Sequence, residues 1–227
     1  MSDNKYLETV YNDNLRPITN YPSKLIKYLI KKFNLKKNQK ILEMGCGRGE
    51  FLNEFYQSGL DAYGVDISDY SKNYFPKLKF LKTDLENERL PFDDSVFDVI
   101  YSKSLIEHFY YPEKIFKEAY RVLKPGGIII TLTPEWKYIY KTFYDDYTHR
   151  VPFTKESLRD IHKIHNFKEV KVESFKQLPI LFNKSFFYYF FNLSSVLTRI
   201  LVPDIFTMSN KWIRFSKEIM LLSYAKK

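Results

Sequence analysis

Three glycines occupy alternate positions within Lys40–Phe51, "KILEMGCGRGEF": Gly45, Gly47 and Gly49, with Glu43 two residues before the first. Alternate glycines directly after an apolar run let the chain bend and let a ligand lie against the backbone, because no Cβ intervenes. A phosphate loop would continue Gly-Lys-Ser/Thr, and none follows. A dinucleotide fingerprint prefers G-x-G-x-x-G, and Glu43 would repel a pyrophosphate. An acid beside such a turn suits a cationic ligand. Two more acids follow. Asp66 lies 17 residues beyond Gly49, a spacing at which an acid accepts hydrogen bonds from ribose hydroxyls. Asp84 is placed where an adenine amino group could be held.

These acids need elements that bring them to one edge. "KILEM" reads as a short buried strand, "GEFLNEFYQSG" as the helix behind it, and "DAYGVD" and "LKFLKTD" as second and third strands ending at Asp66 and Asp84. "SVFDVIYS" is a fourth strand, "PEKIFKEAYRVL" a helix, "KPGG" a turn and "IIITLT" a fifth strand. Strands alternating with helices imply parallel strands with right-handed crossovers, an α/β sheet covered on both faces. Its ligand site lies at the carboxyl ends of the strands, at the switch point. Before this core, "YPSKLIKYLIKKF" reads as an amphipathic helix with Pro22 in its first turn. After it, "TKESLRDIHKIHN" is a helix capped by Thr154, "FKEVKVESF" an exposed strand and "KEIMLLSYAKK" a final strand. A cofactor carrying ribose, adenine and a cationic tail meets all three acids; S-adenosylmethionine, with its ammonium and sulfonium, is one.

The chain of 227 residues fits one domain. Its divisions are an N-terminal helical cap (1–37), a cofactor-binding core (38–134), a loop, helix and edge strand for substrate (135–178), a helical insert (179–217) and a final strand (218–227). With 44% hydrophobic residues, global disorder is excluded. Cys46 is the only cysteine, so no internal disulfide forms, and a cytoplasmic setting is the simplest reading. The polar N-terminal stretch is not a signal peptide. The net charge of +9 fits either a lysine-rich solvated surface or an anionic partner. RNA is disfavoured, because no added binding module is visible.

"ILEMGCGRGEF", "GVDIS", "KTDLENERLPFDDSVFDVIYSKSLIEHF" and "RVLKPGGIIITLTP" together resemble the class I S-adenosylmethionine-dependent methyltransferases over residues 38–134. The resemblance implies a Rossmann-like, doubly wound seven-stranded sheet with its last strand antiparallel, and methyl transfer. It places Glu43, Gly45, Cys46 and Gly47 at the methionine end. Asp66 and Ile67 would hold ribose and adenine, Asp84 and Leu85 would flank the adenine, and Ser102 and Lys103 would lie beneath the sulfonium. Cys46 reads as a small filler in the turn. Glu107 and His108, in "LIEHF", resemble a common element of the family on the helix after the fourth strand, where His108 would be structural or line the substrate pocket.

The sheet does not select the acceptor. An Asn/Asp-Pro-Pro-Tyr/Phe motif, expected for amino methylation of adenine, is replaced by "YSKS". Asp145, Asp146 and His149 on one loop are weak grounds for a metal, and none is expected. "YDDYTHRVPFTKESL" resembles a D-x-T-H-x-x-x-F-T stretch of bacterial methyltransferases that tailor surface polysaccharides. The loop should overhang the methyl group. An alcohol is a poor nucleophile at neutral pH, and an imidazole can take its proton as the methyl moves. His149 is therefore the candidate base, with Asp145, Asp146 and Tyr147 orienting it or the substrate and Arg150 facing a phosphate or carboxylate. Capping of the following helix is the bland alternative for His149. The expected reaction is O-methylation of a sugar, nucleotide-activated sugar or phosphate-modified glycan precursor. A prenylated quinone or lipid, or a non-catalytic binding role, are the alternatives.

Residues 180–202, "ILFNKSFFYYFFNLSSVLTRILV", carry no charge from Ser185 to Thr198. That run is shorter than the ~20 residues a membrane span needs. It reads as a helix packed on the sheet or in a dimer, or as a lid over an acceptor with a membrane-bound part. In the second case Phe186, Phe187, Tyr188 and Tyr189 would wall the acceptor pocket.

Overall fold

The computed structural model describes residue 9 and residues 17–183, 186–207 and 210–227. The rest of the N-terminal stretch through residue 16, together with Lys184 and Ser185 of the aromatic segment, lies outside the described residues. Helix α1 (Tyr21–Phe33) has Pro22 in its first turn and ends at Asn34 in the left-handed conformation, whose N–H donates to the Ile30 carbonyl. Leu25, Ile26 and Leu29 are fully buried on one face, the 3–4 spacing expected of an amphipathic helix. The helical part of the cap is therefore present.

Seven strands form one sheet in the order β3-β2-β1-β4-β5-β7-β6. They are β1 (Lys40–Met44), β2 (Asp61–Asp66), β3 (Lys79–Lys82), β4 (Phe97–Lys103), β5 (Leu123–Pro134), β6 (Lys168–Phe175) and β7 (Met220–Lys226). Strands β1 to β5 run parallel and β7 runs antiparallel to both neighbours. The order reverses between β1 and β4, where Met44 stands beside Ser102. Helices α2 (Glu50–Gln57), α4 (Glu113–Val122) and α6 (Lys155–Ile164) follow β1, precede β5 and precede β6, with the short α3 (Ser71–Tyr74) between β2 and β3 and α5 (Trp136–Ile139) after β5.

Strand alternation divides the core. Val99 and Tyr101 of β4, with Met220 and Leu222 of β7, join Leu25, Leu29 and Phe55 on one face. Ile100, Leu221 and Ala225 join Phe116 and Leu158 on the other. "KPGG" is not a loop before the fifth strand but an irregularity within it. Phe97 pairs with Leu123 and Val99 with Ile128, so the register slips there, and Gly126 has φ of 79°. The edge strand β6 carries Lys168, Glu169, Lys171 and Glu173 and has its own register shift, charge and bulge that discourage a further strand from pairing.

The insert forms helices α7 (Tyr188–Leu201) and α8 (Lys211–Lys217) before β7. It departs beyond Phe175 and returns at Met220, and those two residues face each other in the β6–β7 ladder. Among the described residues, no helix is long and apolar enough to cross a membrane.

Candidate active site

The glycine turn follows β1 at the switch point. Gly45, Gly47 and Gly49 have φ of 72°, 50° and 83°, left-handed values that side chains with a Cβ rarely adopt. The Gly45 and Cys46 N–H groups donate to the Val65 carbonyl at 2.8 and 3.2 Å, tying the turn to β2. A Cβ on Gly45 would stand 2.5 Å from Leu105 Cδ1, whereas one on Gly47 would meet nothing within 4 Å. One glycine answers a close approach; the other opens onto a groove. Cys46 is buried, and its Sγ lies 2.9 Å from where a Cβ on Gly64 would be. Burial pushes its thiol well up, so it is a filler here and not a nucleophile.

Glu43 lies within β1, Asp66 ends β2, and Asp84 follows the end of β3. Glu43 is 2% exposed, and its Oε2 has no hydrogen-bond partner among the described residues. Burial, then the negative charge of Asp66, pushes its carboxyl well above the usual range, while Lys103 opposes the shift. Asp66 Oδ2 accepts from Gly47 N–H at 2.8 Å and Oδ1 from Ser68 N–H at 3.0 Å. Ile67 beside it is 41% exposed and Leu85 is half-buried, so both offer apolar surface near that edge. Asp84 is occupied by its own loop: Oδ1 accepts from Glu86 N–H at 2.9 Å, and Oδ2 from Asn87 Nδ2 at 2.9 Å. At the end of β4, Ser102 is fully buried with its Oγ unpartnered among the described residues. Lys103 Nζ lies 5.4 Å from the Phe51 ring centroid.

A second cluster forms where the chain leaves β4 and β5. The 3₁₀ turn Ile106–His108 follows β4, and the loop after β5 includes a second one, Phe143–Asp145. Arg150 N–H and Val151 N–H donate to the Glu107 carbonyl at 2.8 and 3.1 Å, pinning the loop to the first turn. The His108 and His149 rings lie 4.8 Å apart between centroids. Their tautomers follow from proton accounting. The Thr148 hydroxyl has one proton and gives it to Asp146 Oδ1 at 2.6 Å; His108 Nδ1, 2.8 Å from Thr148 Oγ1, is then the donor. His149 Nδ1 meets the Phe143 carbonyl, which can only accept. Both imidazoles keep Nε2 as the bare nitrogen. Burial, then the neighbouring His149, lowers His108 to about 4. Glu107 is fully buried; Oε2 accepts from Thr133 Oγ1 at 3.0 Å, and Oε1 has no partner among the described residues. Burial raises its carboxyl to about 7, and Lys103, which opposes the shift of Glu43, opposes this one too.

His108 and His149 are thus brought together, but two expected partners act otherwise. Asp146 orients His108 through Thr148, and the His149 ring is held by a backbone carbonyl, not a carboxylate. Asp145 and Tyr147 are exposed. Arg150 donates to the carbonyls of Tyr147 and His149 and lies over the Tyr110 ring at 5.0 Å. Sequence reasoning noted Glu107 only as the neighbour of His108 in "LIEHF", gave it no role, and missed Thr148. The signal was present as acid-His in "LIEHF" and Thr-His in "YTHR", two imidazoles each beside a partner.

The aromatics expected to wall the acceptor pocket stand largely at the surface. Phe186 is 92% and Tyr189 78% exposed, Phe187 is also exposed, and Tyr188 is half-buried. The buried residue of α7 is Ser195; Tyr189, Phe190, Leu193, Leu197, Ile200 and Leu201 turn outward, while Tyr188, Phe191 and Val196 are half-buried. The insert does reach the loop after β5: Arg199 lies 4.8 Å from the Tyr138 ring centroid, and Lys141 pairs with Asp204 at 3.0 Å.

A family described as "Methyltransferase domain" matches residues 42–131. An uncharacterized protein of Methanocaldococcus jannaschii is 32% identical over 161 residues, 70% of this chain and 68% of that protein. The sterol 24-C-methyltransferase of Schizosaccharomyces pombe is 29% identical over 140 residues, 57% of this chain and 35% of that protein. In fold, the crystal structure of an S-adenosylmethionine-dependent methyltransferase from Archaeoglobus fulgidus matches with a TM-score of 0.67 at 23% identity, covering 96% of this chain and 98% of the other. The chain belongs to the class I S-adenosylmethionine-dependent methyltransferases. It spans about a third of the length of the first curated relatives it matches, among them the sterol enzyme and a phosphoethanolamine N-methyltransferase of Arabidopsis thaliana. The residues present fit that cofactor. The Glu43 carboxyl, its Oε2 unpartnered among the described residues, would ionise beside the cofactor's cationic end; the open face of Gly47 gives it room, and Asp66 stands at the end of β2.

Proposed function

We propose that the chain transfers a methyl group from S-adenosylmethionine to a hydroxyl of a small acceptor: a sugar, a nucleotide-activated sugar or a phosphate-modified glycan precursor of capsule or lipopolysaccharide. The observation that carries this reading is the imidazole pair, its rings 4.8 Å apart between centroids and each Nδ1 committed to a fixed acceptor, which leaves each Nε2 to take a proton. The cofactor supplies an electrophilic methyl on sulfur. Glu43, Gly45, Cys46 and Gly47 receive its methionine end, Asp66 and Ile67 its ribose and adenine, Asp84 and Leu85 the far edge of the adenine, and Ser102 and Lys103 line the floor. His149 Nε2 accepts the hydroxyl proton, and the Phe143 carbonyl opposite Nδ1 stabilises the imidazolium that forms. His108, Asp146 and Arg150 orient the acceptor. The glycan class rests on the D-x-T-H resemblance of the loop.

A lipid or prenylated quinone acceptor, met at the cytoplasmic face of a membrane, is the second reading. The outward apolar side of α7 favours it. Radiolabelled methyl transfer to a panel of nucleotide sugars, glycan phosphates, and quinone or sterol lipids in vesicles tests both. Labelling of a sugar hydroxyl is expected. Labelling confined to the lipids would replace the first reading with the second, and binding without turnover on any acceptor would sink both.

A further inference from the structure

We propose that Glu107, His108 and His149 together form a binding site for a divalent transition-metal ion. The proposal rests on reading this cluster as the reaction centre. One ligand atom from each of the three residues lies within 4.8 Å of the other two. The atoms available are the unpartnered Oε1 of Glu107 and the two Nε2 lone pairs. With the Glu107 carboxyl ionised, one carboxylate and two imidazoles converge within one ligand shell of one another. A cation is what that arrangement lacks. Two imidazoles and one carboxylate, with positions left open, suit first-row divalent ions over calcium or magnesium, which favour all-oxygen sites.

The surroundings fit as well. A metal-binding histidine characteristically donates its other N–H to a carbonyl or carboxylate, which fixes the ring. His149 does so to the Phe143 carbonyl, and His108 does so through Thr148 to Asp146. Glu107 is fixed by Thr133 through its other oxygen. The three ligands come from two loops that the Glu107 carbonyl already clamps together. Ligand bonds of ~2.0–2.2 Å would draw the atoms closer than they stand, within reach of side-chain rotation. An acceptor hydroxyl could take an open position on the ion and lose its proton to solvent. Its oxygen would then bond to the methyl carbon as the carbon–sulfur bond breaks, the electron pair going to sulfur. The imidazoles then act as ligands, and His149 is not the proton acceptor.

The test uses untagged full-length protein, stripped with chelator and titrated with Co²⁺ in the absence of any acceptor. The expected result is one equivalent bound, with visible absorption bands of a low-symmetry cobalt site that Zn²⁺ removes. Glu107→Gln, His108→Ala and His149→Ala should each weaken uptake more than tenfold. Thr148→Val, which leaves every ligand in place, should weaken it about tenfold. Circular dichroism and retained S-adenosylmethionine affinity show that a variant is folded. No saturable uptake of Co²⁺, Zn²⁺ or Mn²⁺, or uptake indifferent to all four substitutions, overturns the site. Methyl transfer that persists in chelator without uptake leaves the imidazole-base reading standing and removes the metal. Uptake without transfer to any hydroxyl keeps the metal and removes the acceptor reading.

Discussion

The glycine turn after β1 and the histidine loop after β5 stand at the same edge of the sheet and are held in opposite ways. The first is fixed by backbone: left-handed glycines, N–H groups tied to the Val65 carbonyl, and an aspartate catching the Gly47 N–H. The second is fixed largely by side chains that meet across 40 residues of sequence, as His108 and Thr148 do. A backbone-built site serves one cofactor and tolerates few residue types. A side-chain-built site can be altered one residue at a time, as a binding region that changes acceptor would require.

The sharpest way to break this comparison is His149→Ala. Turnover should fall by ~10²–10⁴, with S-adenosylmethionine affinity little changed. A loss below about tenfold in steady-state assays would make the loop a structural brace and pass the role to His108. Next is Asp66→Ala in the other half. Cofactor binding should weaken by ~1.5–3 kcal/mol, the scale of hydrogen bonds to a charged group. Unchanged affinity in calorimetry would remove Asp66 from the cofactor site.

Acid sensitivity of the histidine loop must be separated from unfolding, and His162 on α6 allows it. His162 is fully buried, with Nε2 2.9 Å from Ser223 Oγ, and burial lowers it from 6.5 to about 3. Between those values the unfolded chain holds a proton that the folded chain refuses. The stability tied to neutral His162 is therefore fully present above pH 6.5 and is lost as pH falls toward 3, at about 1.4 kcal/mol per pH unit. Urea unfolding of His162→Gln at a series of pH values should show a shallower acid slope than the parent. An identical slope would mean that His162 is not the neutral buried group described. The smallest effect is expected on the exposed aromatics at the start of α7 and just before it. Replacing Phe186 and Tyr189 with serine should change stability by no more than ~0.5 kcal/mol and leave cofactor affinity alone, while reducing retention on anionic lipid vesicles. Retention equal to the parent would leave that face without a membrane role.

The contrast also explains what the sequence could disclose. The glycine turn, the aspartate ending β2 and the succession of strands were legible because local geometry demands particular residues at fixed spacing. Thr154 as a cap was legible for the same reason; its side chain accepts from Ser157 N–H. Glu107 was legible as the neighbour of His108 but its role was not, because only the fold reveals that one of its oxygens is buried without a partner among the described residues. The link of Asp146 to His108 was not legible, because it runs through Thr148. The "KPGG" turn was placed outside the strand because glycine and proline ordinarily end one, and here they bulge within it. The outward face of α7 was illegible because a run of aromatics reads the same whether it faces a core or the outside.

The pairing of Phe175 with Met220 has one more consequence. Everything from Lys176 to Ile219 leaves the sheet and re-enters it at a single rung of the ladder, so the insert is topologically an oversized hairpin loop. The entropy of closing such a loop rises only logarithmically, about 0.6 kcal/mol for each doubling of length. Lineages could lengthen, shorten or exchange this stretch while every strand kept its neighbours, provided the contacts that Phe182 and Phe215 make with Tyr21 were replaced. The same rung is a ready junction for grafting a foreign segment onto the scaffold.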